Sequence, residues 1–147
     1  MDTKKIWLIL DYIKWISIVV VFIYALHPLI NGMGCDYHSQ TEDEKQSIYT
    51  TCKFGIINAV GVNKKTKKTI QYSGVYGKSG NTIFFYTYER IVLNDEENTM
   101  MNIIAALNNS NFYMAYVFKG DGYDWIFIKY PYYNIYRSKR VGAMGFF

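Results

Sequence analysis

Between Trp15 and Ile30 the chain reads WISIVVVFIYALHPLI, a run free of charged side chains that lies close to the N-terminus. A bilayer core about 30 Å thick requires about 20 mostly apolar helical residues, because hydrocarbon offers the backbone no hydrogen-bond partner. Extended back through Tyr12 and Ile13 the run approaches that length, with Lys14 lifting its ammonium into the headgroup layer along its aliphatic stem. A transmembrane helix over about residues 12–30 is therefore expected, with Trp15, Ile18, Val21, Phe22 and Leu26 as membrane-anchor side chains. Met1 to Asp11 is expected at the interface, held by Trp7, Tyr12 and Trp15. The competing arrangement is one tilted helix from Ile6 to Ile30, which places Asp11 and Lys14 three residues apart within it.

A permanent anchor fits these residues better than its rivals do. Gly32-Met33-Gly34 is a weak match to a signal-peptide cleavage site. Gly32 also stands where a lipoprotein signal ahead of Cys35 wants Leu or a similar residue. A buried helix of a soluble domain would be striped, whereas this run is apolar all round. Lys4, Lys5 and Lys14 precede it, while Gly32 to Glu44 holds no Lys or Arg but does hold Asp36, Glu42, Asp43 and Glu44. The positive-inside rule then keeps the N-terminus in the cytoplasm and puts everything downstream outside it, in the periplasm of a bacterial cell.

The 147 residues divide on this reading into a membrane anchor (1–30), a polar juxtamembrane linker (31–53) and one extracytoplasmic domain (54–147). Aromatic residues make up 18% of the chain, mainly 15 Tyr and 9 Phe, a composition that favours sheet over a helix bundle. The expected fold class is α+β: a single transmembrane helix followed by a small antiparallel β-rich domain of about five strands with one packed helix over 95–109.

Individual segments carry that expectation. In the linker, Thr41 and Glu44 form a capping box for a short helix from Glu42 to Tyr49. Phe54 to Val62 and Thr69 to Tyr76 read as two strands of a hairpin with a basic tip, NKKTKK. Thr82 to Leu93 is the longest strand candidate; neither face is cleanly polar, so it reads as a central strand covered on both sides. Asn94-Asp95-Glu96-Glu97 caps a helix whose Met100, Ile103, Ile104 and Leu107 form one stripe. Phe112 to Phe118 and Tyr123 to Tyr130 flank Lys119-Gly120-Asp121-Gly122, a hairpin signature because both glycines accept positive φ.

Only two cysteines occur, Cys35 and Cys52, and both fall in the part expected outside the cytoplasm. A disulfide between them is expected to close the polar loop beside the membrane and to contribute roughly 3 kcal/mol in the chain-entropy picture. Joint metal binding with Asp36 and His38 matches no zinc spacing. Gly77-Lys78-Ser79-Gly80 lacks the earlier glycine of a phosphate-binding loop, since Tyr72 occupies that position. Asp121 and Asp124 supply too few oxygens for calcium. No metal or cofactor is expected.

Catalysis is poorly supported as well. The extracytoplasmic part has one histidine, His38, in a polar stretch, and nothing in their spacing pairs Glu89 with Asp124 as the carboxylates of sugar hydrolysis. A net charge of +4 is too mild to argue for nucleic acid, and an extracytoplasmic location removes it as a partner. What remains is a non-enzymatic binding protein at the bacterial envelope, with lipid around its helix and a protein as its captured partner, as for an immunity, exclusion or inhibitor protein. The alternative is an accessory structural subunit of a larger membrane assembly. Candidate partner-binding residues are Lys64, Lys65, Lys67 and Lys68 in the basic turn and Tyr132, Tyr133, Tyr136 and Arg137 in the tail.

Overall fold

A computed structural model of the chain describes residues 3–94 and 110–147. One helix, α1 (Thr3–Gly32), leads into eight strands: β1 (Cys35–Glu42), β2 (Gln46–Lys53), β3 (Ile56–Asn63), β4 (Thr69–Ser79), β5 (Thr82–Asn94), β6 (Phe112–Gly120), β7 (Tyr123–Tyr130) and β8 (Asn134–Met144). Each strand pairs antiparallel with the next, and β8 pairs back onto β1, so the sheet closes into a barrel.

This overturns the α+β domain of about five strands. Three additional strands lie where none was expected: β1 and β2 occupy the supposed linker, and β8 occupies the tail. The short helix over Glu42 to Tyr49 does not form, because Thr41 to Ser47 instead completes the β1–β2 ladder, with Glu42 opposite Ser47. Closure explains why a polar stretch becomes strand. An edge strand exposes unpaired N–H and C=O groups, and β1 satisfies both of its edges, against β2 and against β8. The helix expected over 95–109 lies outside the described residues. The two expected hairpins do form, as β3–β4 around the lysine turn and β6–β7 around Asp121-Gly122, where Gly122 adopts a φ of 77°.

Thr82 to Leu93 is a strand, yet it is not covered on both sides. Its pairing with β4 skips Tyr88, since Ser73 faces Glu89 while Gly74 faces Thr87. That bulge reverses the inside–outside parity, so Ile83 and Phe85 point inward before it and Arg90 after it. The apparent lack of a polar face is the sum of two half-strands of opposite phase. Tyr86 and Tyr88 sit on the exposed outer wall.

α1 runs unbroken through Asp11 and Lys14, and its 30 residues reach about 45 Å. Within it, Ile9–Gly32 is long and apolar enough to cross a membrane, and none of its most apolar window is buried against the barrel. It is therefore not a core helix. The last turn meets the barrel on the outer wall of β4. A Cβ on Gly32 would stand 2.5 Å from the Tyr76 carbonyl oxygen, and one on Gly77 would stand 3.3 Å from that of Pro28. Glycine at both positions lets the two backbones meet. Asn31, 2% exposed, completes the joint: its Nδ2 donates to the Lys78 carbonyl (3.1 Å) and its Oδ1 accepts from the Phe147 amide (3.0 Å).

Asn31→Leu strips two backbone groups of their partners and is expected to destabilise the joint by roughly 1–3 kcal/mol. Limited proteolysis at Met33 checks this: faster cleavage than in the wild type is expected, and an unchanged rate would show that the side chain is not what holds helix to barrel.

Candidate functional site

Alternation around the barrel sends one residue of every two into a lumen. At the end where α1 docks, the floor is Cys35, Tyr37, Cys52, Ile57 and Tyr76, backed by Ile83, Phe85 and Met144. The Cys35–Cys52 disulfide lies within this floor, 17 positions apart in sequence and joining the neighbouring strands β1 and β2. It staples a hairpin rather than an irregular loop. Above it sit Ala59, Ile70 and Tyr72, with Ile48 and Phe85 packed against them. The rings of Tyr37 and Tyr76 meet edge to face at 5.9 Å, and those of Phe85 and Tyr113 stack at 5.4 Å.

Between these side chains the lumen keeps a cavity of about 190 Å³, which extends to Gln46, Asn63, Lys68 and Tyr132 at the opposite end, the mouth. The walls are mostly apolar. Asp124 and Arg140 also face the interior and pair at 2.5 Å, with their side chains 8% and 16% exposed. Arg140 donates through Nη1 to the Gly142 carbonyl as well. Tyr136 organises the mouth: its hydroxyl accepts from Gln46 Nε2 (3.0 Å) and Asn134 Nδ2 (2.8 Å) and lies 3.4 Å from the Tyr132 hydroxyl.

Burial holds the lumen phenols neutral. It is the main cause of the upward shift of Tyr37 and Tyr76, which nearby Arg140 opposes, and it takes Tyr72 to about 12 against the pull of Arg90. Tyr113 and Tyr132 are raised mainly by burial too, Tyr132 also by its hydrogen bond to Tyr136. In the unfolded chain these phenols ionise near 10, so the unfolded state loses protons first as pH rises. Their contribution to stability is complete below pH 10 and disappears as pH climbs through about 12 and beyond. In an ultraviolet titration of phenolate, the five should ionise together with loss of the barrel's near-ultraviolet circular dichroism. Stepwise ionisation in an intact barrel would contradict this placement.

The candidate partner-binding residues do not form one patch. Lys64, Lys65 and Lys67 are exposed on the β3–β4 turn, and Lys68 reaches the cavity mouth. Tyr133 is exposed beside that mouth, Tyr132 lines it, and Tyr136 is buried inside the barrel. Arg137 faces outward, its guanidinium 3.7 Å from the centroid of the Tyr123 ring. The lysine turn lies beside the β1–β2 turn, where the Lys64 amide donates to the Lys45 carbonyl (2.9 Å). The acidic residues Glu42, Asp43 and Glu44 therefore neighbour the lysines. Glu89 stands on the outer wall and Asp124 in the lumen, so these two carboxylates share no face. Asp36 and His38 point outward, away from the cysteines.

The lumen itself was missed from sequence. Its signal was present in Asp36 to Glu42, where charged or polar Asp36, His38, Gln40 and Glu42 alternate with Tyr37, Ser39 and Thr41. Small hydroxyl residues facing inward hid the period-two pattern. No protein-family model, curated protein or solved structure matches this chain.

Proposed function

We infer that the chain is a membrane-anchored binding protein that holds a barrel outside the bacterial cytoplasm and captures another protein there, as an immunity, exclusion or inhibitor protein does. The observation carrying this reading is the placement of the two charged turns. α1 docks at the barrel floor, so the Glu42–Lys45 and Lys64–Lys68 turns project from the end away from the helix. Opposite charges set side by side fix the register of a protein partner and disfavour wrong ones. The disulfide supports an oxidising compartment. The lysines before the apolar run support a cytoplasmic N-terminus. Retention of the helix is supported by Asn31, because cleavage at Gly32 to Gly34 would separate from the barrel the residue that bonds β4 and the Phe147 amide.

A second reading, an accessory subunit of a membrane assembly, draws on the helix. Asp11, Lys14 and His27 are exposed along it, and polar groups at membrane depth favour protein partners. Affinity capture from detergent-solubilised envelopes separates the two. With Lys64→Glu, Lys65→Glu and Lys67→Glu combined, recovery of the partner should fall at least tenfold (roughly 1.4 kcal/mol) while the barrel's unfolding temperature stays unchanged. Undiminished recovery by the triple variant would remove the turn from the interface, and a stable complex that depends on Asp11, Lys14 or His27 instead would favour the subunit reading.

A further inference from the structure

Among the described residues the Tyr76 and Thr87 hydroxyls are buried without a hydrogen-bond partner, and of these two residues Tyr76, 1% exposed, is the one that lines the cavity. A buried hydroxyl left unpaired is costly, so a native site of this kind calls for a partner. Burial keeps Tyr76 a neutral phenol at ordinary pH, and hence a hydrogen-bond donor. Tyr37, Ile57, Ile83 and Phe85 share its cluster and line the cavity with it, and Ala59 and Ile70 continue the wall above.

Size and charge narrow the occupant. The cavity of about 190 Å³ exceeds the apolar cavity of about 150 Å³ that accommodates benzene, and it is well below the size of sites for large cofactors. Arg140, the cation that acts on Tyr76 within the lumen, is already balanced by Asp124. A charged ligand would add an uncompensated buried charge, which is strongly unfavourable.

We propose that the barrel lumen is a binding site for a small uncharged molecule, about the size of one substituted ring, whose single carbonyl or hydroxyl oxygen accepts the Tyr76 hydroxyl proton. The site is independent of the protein-capturing turns, since it uses the floor and middle of the lumen.

Three ring probes of similar size test this with the full chain in detergent micelles: acetophenone, toluene and benzoate, followed by calorimetry and by side-chain chemical shifts of lumen residues. Acetophenone is expected to bind most tightly, and benzoate at least tenfold more weakly. Tyr76→Phe should cost acetophenone about tenfold in affinity and leave toluene within a factor of two. Gly61→Leu supplies the second variant. Gly61 faces the lumen near its mouth, opposite Ile48 and Ile70, and a Cβ there meets nothing nearer than the Ile70 carbonyl oxygen at 4.0 Å, so a leucine at this position obstructs the lumen between the mouth and Tyr76. It should abolish binding of both neutral rings while the barrel stays folded. No binding of acetophenone to the wild type, equal affinity in Tyr76→Phe, tighter binding of benzoate, or binding that survives Gly61→Leu would each overturn the proposal.

Discussion

Asp124→Leu is expected to cost the barrel about 3–5 kcal/mol, a large effect for a single substitution, because it leaves the Arg140 guanidinium buried without its counter-charge. Arg140→Met should cost a comparable amount by orphaning the carboxylate. The informative variant is the pair Asp124→Leu with Arg140→Met. Two desolvated charges repay their burial only through each other, so exchanging both for apolar groups of similar size removes attraction and desolvation penalty together. The double variant is expected to be more stable than either single one, an interaction energy of roughly 2 kcal/mol or more by a double-mutant cycle in denaturant. Strict additivity would mean that the two side chains do not act as a pair.

Removal of the disulfide should come second in size. The Cys35–Cys52 bond closes a short stretch of chain, and cross-linking it limits the freedom of the unfolded state by roughly 3 kcal/mol. For a barrel of this size that is a fall of roughly 10–20 °C in unfolding temperature on reduction or in Cys35→Ala with Cys52→Ala. The loss has a local component too, since Cys35 Sγ accepts the Gly55 amide at 3.3 Å inside the floor. Thermal unfolding with and without reductant checks it, and coincident curves would show that the bond contributes nothing.

Local signals in the sequence identified a helix long and apolar enough to cross a membrane, the cysteine pair and the hairpins, because each depends on neighbours in the chain: an unbroken apolar run, an even pair of thiols, glycines in short turns. Barrel closure depends on contacts far apart in sequence. Ser39 faces Arg140 and Thr41 faces Ser138, and nothing near Thr41 announces a partner almost a hundred positions away. Inward polar residues deepened the concealment. In β1 and β8 the lumen-facing side chains include Ser39, Thr41, Ser138 and Arg140, so the usual equation of inside with apolar assigned both segments to linker and tail. The same mistake affected the candidate site. Tyr136 and Arg137 are adjacent tail residues of kinds found at interfaces, yet one is buried in the lumen and the other lies on the outer wall. Neighbours along a strand belong to opposite faces, and only the register of β8 against β7 and β1 decides which is which.

The placement of the barrel beyond the membrane is best tested with a single new thiol. Both native cysteines are joined in the disulfide, so Lys65→Cys puts the only free thiol on an exposed turn at the end of the barrel away from the helix. Intact cells treated with a membrane-impermeant maleimide should label this variant fully and the wild type not at all. Labelling of Lys65→Cys only after the cells are lysed would put the barrel in the cytoplasm and contradict the orientation, the compartment and the partner proposed above.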